Sequence, residues 1–348
     1  MRIRNYRTSI LLGITFLFVL SAFWFMQSLA FIVFISLLLH LLLKPPVSVL
    51  EKRMPRSVAS GIVLTLFLAF ATGLLFLVSN SFLPTFTAFV KDFPNLTERI
   101  YQFSIVENSS FLMGEMDTLW NELVNASVTA LKSSLGLLLS LFNKFIDFVV
   151  ILFVTFYLLK DGDTIKDYLA TRFPNSSHER VVKLFNRILN SLRIYIASQL
   201  AICCITGIIV FSYYTVRDLP YASVFAVVSS IAEFIPVLGP TIASAFGVIL
   251  MTTYSPIVAL QTAGFYLILT QVNHNIVYPT LIGKSLDLHP IAIILGIILG
   301  GELLDAAGMF LAVPIITICK IVIEDIHEDR EQMKANLASS RWLHRKSD

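Results

Sequence analysis

Three carboxylates, Glu233, Glu302 and Asp305, stand inside or beside the last apolar runs of the sequence. A charge at the centre of a bilayer costs roughly 2.5–3.5 kcal/mol on insertion scales, so each asks for water, a partner or a proton. Such groups can carry a proton or a monovalent cation. Glu233 opens the octet Glu233-Phe234-Ile235-Pro236-Val237-Leu238-Gly239-Pro240, between apolar runs at 221–231 and 241–251, neither long enough to cross a bilayer comfortably. Pro236 and Pro240 each lack a backbone donor and Gly239 permits unusual dihedrals, so a helix is interrupted here and backbone groups are freed. At membrane depth those groups are tolerated only against protein or a water-filled cavity, which makes the break a candidate ion or substrate site. The competing expectation is structural, with Glu233 hydrogen-bonding the loosened backbone near Pro236. Glu302 and Asp305 follow Gly300 and Gly301 on a glycine-rich bend, where they serve either cation chemistry or the bend itself.

A polar run, Gln271, Asn273, His274 and Asn275, follows the apolar stretch 257–272. The amides can both donate and accept, which suits a neutral hydroxylated solute and equally suits bonding between helices. His274 is able to titrate near neutral pH or to act as a polar cap. Beyond Tyr278 and Pro279 comes Gly283-Lys284-Ser285, which looks like the end of a phosphate loop. The upstream glycine that such a loop needs is replaced by Tyr278, so Lys284 is not a nucleotide lysine. Energy for any transport must then come from an ion gradient or the solute's own gradient. Cys203, Cys204 and Cys319 all lie in apolar runs, without metal-ligand spacing, and read as packing residues. No nucleophile, metal or cofactor constellation supports an enzyme.

These residues need a membrane scaffold to position them. The chain has 348 residues, 56% hydrophobic and 14% charged, with a mean hydropathy of +0.78. That composition specifies an all-α polytopic membrane protein embedded in lipid, with about eight crossings and broken or re-entrant pieces in its C-terminal half. The net charge of +3 sits in tails and loops and calls for no nucleic acid. Five regions follow: three transmembrane segments in 1–79, an extracytoplasmic amphipathic helical region at 80–143, and a fourth segment with a basic cytoplasmic stretch at 144–193. A transport core with broken helices occupies 194–323, and a cytoplasmic tail 324–348. The positive-inside rule places the loop carrying Lys44, Lys52, Arg53 and Arg56 in the cytoplasm with the N-terminus, and the charged tail ending Arg341, His344, Arg345 and Lys346 is most simply cytoplasmic too. Gly296, Gly300, Gly301 and Gly308 offer small faces for close helix approach or for sliding. A membrane scaffold that binds a partner through 80–143 is the expectation from another functional class.

Three ordered blocks resemble the signatures of the autoinducer-2 exporter family of bacterial transporters. They are the octet at Glu233; Tyr278-Pro279 with Gly283-Lys284-Ser285-Leu286-Asp287-Leu288-His289-Pro290; and Gly300-Gly301-Glu302-Leu303-Leu304 followed by the run from Ala307 to Pro314. The resemblance implies an inner-membrane secondary transporter that assembles as a homo-oligomer, with a pentamer as the expected form. It implies export of a small polar solute such as autoinducer-2, or exchange of sodium or lithium for protons. No cofactor is implied beyond a proton, sodium or lithium as coupling ion. Carried over by position, the signature members are Glu233, Pro236, Gly239, Pro240, Lys284, Pro290, Gly301, Glu302 and Pro314. Asp305 departs from the family, which usually has a small residue there. A second acid beside Glu302 raises the cost of ionising both, and so either adds a cation site or marks a salt bridge.

Overall fold

The computed structural model describes residues 27–101, 134–173, 178–281 and 288–347, with the single residues 14, 21 and 118. The first apolar run, most of the acidic region after residue 101, and Lys284 with its neighbours lie outside the described residues. Among those described there is no strand, and the chain is an all-α polytopic membrane protein. Its helices are α1 (Gln27–Leu50), α2 (Arg56–Tyr101), α3 (Ser134–Ala170), α4 (His178–Val216), α5 (Ala222–Ala232), α6 (Leu238–Thr252) and α7 (Pro256–Val272). A π-helical turn (Asn273–Val277), the short α8 (Tyr278–Leu281) and α9 (Pro290–Ser347) complete the order. Four stretches, Ser28–Leu50, Arg56–Phe89, His178–Val216 and Ala307–Glu328, are long and apolar enough to cross a membrane. The helices α5 and α6 are apolar but short. Their outward faces carry exposed Ile231, Ile242 and Ile249, as lipid contact requires.

The chain forms two compact units, the first built from Met1–Val63, Phe153–Ala197 and Lys284–Asp348, the second from Leu64–Leu152 and Ser198–Gly283. In the first, Asp163 accepts from Lys44 at 2.7 Å and from Arg56 at 2.8 Å, while Arg56 Nε donates to the Leu159 carbonyl at 2.9 Å. Three helices are pinned at one point because a single carboxylate has four lone-pair sites to share. Burial pushes the Asp163 carboxyl up, but the hydrogen bonds and charges of Lys44 and Arg56 outweigh it and hold it at about 2. Elsewhere in this unit Arg180 Nε and Nη2 both donate to Asp325 Oδ2, at 3.0 and 2.7 Å, a charge-assisted contact that links α4 to α9.

The α9 segment is a hairpin. Leu304 and Asp305 leave helical geometry, Asp305 at φ 51, and the chain reverses there so that Gly300 and Gly308 press backbone to backbone. A side chain at either position would overlap the opposite carbonyl. The small-residue face therefore serves helix contact in this structure, and the reversal falls within the glycine-rich bend expected to hold Glu302 and Asp305.

In the second unit, Val210, Tyr214, Phe225, Leu250, Met251, Tyr266 and Leu269 form the core where α4, α5, α6 and α7 meet. The outer part of α2 is tied to it: Tyr221 donates to Asp92 at 2.7 Å, and Ser223 to the Ser81 carbonyl at 3.1 Å. Residues 80–101 thus continue the helix begun at Arg56.

Candidate functional site

The site grows out of the gap between α5 and α6. The helix stops at Ala232 and restarts at Leu238. Across the gap the Leu238 N–H donates to the Pro236 carbonyl at 2.9 Å, with Val237 between them at φ 70, ψ −58. That is a γ-turn of the rare strained kind, and a β-branched residue at positive φ adds to the strain. The surroundings fix the turn: Gly239 is buried so tightly against the Ala232 carbonyl that a Cβ would overlap it.

Glu233 ends α5 and is 2% exposed. Its side chain does not turn back to the loosened backbone. Thr206 of α4 donates to Oε1 at 2.9 Å and Asn273 Nδ2 donates to the same oxygen at 3.0 Å. Asn273 also reaches the Thr206 hydroxyl at 3.0 Å, closing a three-residue ring. The backbone carbonyl freed by the break is taken by Gln199 Nε2 at 2.5 Å. Among the described residues no basic side chain pairs with Glu233. The Tyr278 hydroxyl also hydrogen-bonds the Glu233 side chain, while the buried Asn273 Oδ1 has no hydrogen-bond partner among the described residues.

These groups border a cavity of about 20 Å³, room for one water. Thr206, Ser229, Tyr266, His274 and Tyr278 supply its other polar walls, and Val237, Pro240 and Ala243 supply apolar ones. The π-helical turn places Asn273 inward and fully packed while leaving His274 and Asn275 on its open side. Such turns recur at functional sites because the extra residue re-aims the side chains that follow.

The expected residues divide between the units. Glu233, Asn273 and His274 come together at the cavity with Pro240, and His274 stacks on Tyr278 at 5.4 Å. Asn275 instead bonds Gln271 on the exposed side of its own helix, and Pro279 is exposed in α8. Glu302 and Asp305 lie exposed at the α9 reversal. Pro290 opens α9, and Pro314 is buried within it. Sequence reasoning missed Gln199, Thr206, Ser229 and Tyr266. A glutamine in the long apolar stretch of α4 was the available signal, since a polar amide there must find a partner.

The description of the AI-2E family transporter matches residues 14–328. A protein of Bacillus subtilis (strain 168) named "Putative transport protein YueF" is 30% identical over 313 residues, 85% of this chain and 84% of that protein. AI-2 transport protein TqsA of Escherichia coli (strain K12) is 29% identical over 139 residues, 40% of each chain. A buried carboxylate at a broken helix, in an all-α membrane scaffold matched over nearly its whole length, places this chain in the AI-2E family of multi-pass membrane transporters, a transporter family and not an enzyme family.

Proposed function

We propose that the protein exports a small polar solute such as autoinducer-2, coupled to a proton or a monovalent cation at Glu233. The observation that carries this is the Glu233 carboxyl itself, buried at a helix break, held by Thr206, Asn273 and Tyr278 and facing a water-sized cavity with no basic partner among the described residues. A carboxyl group held there must either keep its proton or, when ionised, be balanced by a bound cation, because an uncompensated buried charge is too costly. Gain and loss of that ion gives two states that the γ-turn beside it can register. The similarity to the protein named for AI-2 transport supports the choice of solute. The basic loop at Lys44, Lys52, Arg53 and Arg56 supports cytoplasmic termini in a bacterial inner membrane. The family resemblance supports a homo-oligomer, with a pentamer as the form to test.

A second reading, sodium(lithium)/proton exchange, is favoured by one feature. The Glu233 carboxyl and Asn273 Oδ1, the latter with no hydrogen-bond partner among the described residues, border the same cavity, and such oxygens are what a desolvated alkali ion would use.

Proton movement in proteoliposomes under an imposed pH gradient tests both, with sodium, lithium and then autoinducer-2 added to wild type and Glu233→Gln. A flux that follows autoinducer-2 and is lost in the variant supports coupled export. A flux that follows sodium or lithium alone supports exchange. An unchanged pH profile in Glu233→Gln ends the coupling role.

A further inference from the structure

Glu233 Oε1 accepts two hydrogen bonds, one from the Thr206 hydroxyl at 2.9 Å and one from Asn273 Nδ2 at 3.0 Å. A carboxyl oxygen has two lone-pair sites, so both are taken. Thr206 and Asn273 are each 3% exposed, and water does not stand in for either donor. The Asn273 amide is turned to donate, because its oxygen in the same place would set two acceptors against each other.

Thr206 reaches Glu233 by giving up a partner on its own helix. Elsewhere in this chain Ser36, Ser60, Ser212 and Thr317 donate to the carbonyl four residues back, the ordinary bond of a hydroxyl inside a helix. The Thr206 hydroxyl crosses to the end of α5 instead. Asn273 Nδ2 donates to the Thr206 oxygen at 3.0 Å, which leaves the one hydroxyl hydrogen to point at Oε1. The amide therefore acts on Oε1 twice, directly and through Thr206. The Tyr278 hydroxyl also bonds the Glu233 side chain, but a hydroxyl both donates and accepts and so suits the carboxyl with or without a proton. Tyr266 and His274 line the same cavity, and Cys203 lies three residues before Thr206 on α4. Among the described residues none of these three hydrogen-bonds the carboxyl.

We infer that Thr206 and Asn273 are positioning residues that reserve Oε1 of Glu233 and so assign the coupling proton to Oε2. In the protonated carboxyl Oε1 is the carbonyl oxygen and keeps both of its bonds, while the O–H stands on the other oxygen. The inference rests on Glu233 as the coupling carboxyl, as proposed above, and names the atom at which that group is loaded.

Infrared difference spectra of the full-length protein in lipid nanodiscs, taken between neutral and acid pH, test it without knowledge of the solute. The carbonyl stretch of protonated Glu233 is the band that Glu233→Gln removes. A hydrogen bond to a carbonyl oxygen weakens the double bond and lowers its stretching frequency. Thr206→Val keeps the shape and loses one donor, so the band should move to higher frequency, and Asn273→Leu should move it the same way. Thr206→Ser restores the hydroxyl and should leave the band at its wild-type position, a rescue that a purely structural threonine would not give. Should one of the two apolar variants fail to fold, the other carries the test. A band unmoved by loss of either donor overturns the assignment, since Oε1 would not be the carbonyl oxygen. So does an equal displacement in Thr206→Ser, which would mark a loss of packing. A wild-type band that never appears also overturns it, because the carboxyl would then take no proton. The coupling reading is judged separately: bands that move as expected beside an unchanged pH profile in Glu233→Gln would leave the proton on Oε2 and end the coupling role.

Discussion

Gln199 and Glu233, 34 residues apart, are joined by one hydrogen bond from the glutamine amide to the backbone carbonyl that the helix break sets free. The bond supplies at membrane depth what an unbroken helix would have supplied itself. It also fixes α5 to α4 at the residue whose carboxyl faces the cavity.

Replacing Gln199 with leucine keeps the volume but leaves that carbonyl unsatisfied. We expect a loss of about 1–3 kcal/mol, read as a lower unfolding temperature in detergent. Gln199→Met should recover none of it, because a thioether cannot donate. A leucine variant as stable as wild type would show that water serves the carbonyl equally well.

The turn itself can be probed from both sides. Gly239→Ala pushes a methyl into the Ala232 carbonyl and should cost about 3 kcal/mol or more, as overpacking does where backbone cannot yield. Val237→Gly removes a β-branched residue from φ 70 and should relieve strain of about 1 kcal/mol. Thermal unfolding of the two variants should move in opposite directions. Movement in the same direction would refute the strained turn.

Asp163 gives a pH signature. Its carboxyl is lowered from 3.8 to about 2 in the folded chain, so the stability it contributes is complete above 3.8 and is lost as pH falls through about 2. Its side chain is 39% exposed, and solvent screening limits the effect to about 1 kcal/mol. Asp163→Asn should remove this amount at neutral pH and flatten the acid limb of the stability profile. An acid limb identical to wild type would rule out the Lys44–Asp163–Arg56 junction as its source.

Asp305 occupies φ 51 at the reversal of α9, a region that glycine adopts at little cost. Asp305→Gly should therefore raise stability by about 1 kcal/mol. If cation dependence of transport falls in the same variant, Asp305 also takes part in ion chemistry; if only stability changes, its place at the reversal is structural.

Much of this was legible in the sequence because it depends on composition and on local backbone chemistry. The apolar content dictated a membrane fold, and Pro236, Gly239 and Pro240 dictated an interrupted helix, since neither a missing donor nor a missing Cβ depends on distant partners. The bend holding Gly300, Gly301, Glu302 and Asp305 was visible for the same reason, although its turning point at Leu304 and Asp305 was set by how the two arms pack.

The partners of Glu233 were not legible. Gln199, Thr206 and Asn273 reach it from other helices, 34, 27 and 40 residues away, and helix rotation together with one π-helical turn decides which side chains point inward. Asn273 and Asn275 are alike in the sequence, yet the first is buried on Glu233 and the second bonds along its own helix. The sequence by itself determined that a carboxylate would sit at a broken membrane helix, because residue chemistry alone requires it. Only the tertiary structure decided which hydroxyls and amides surround that carboxylate, because convergence of α4, α5 and α7 on one point is a property of packing and not of spacing.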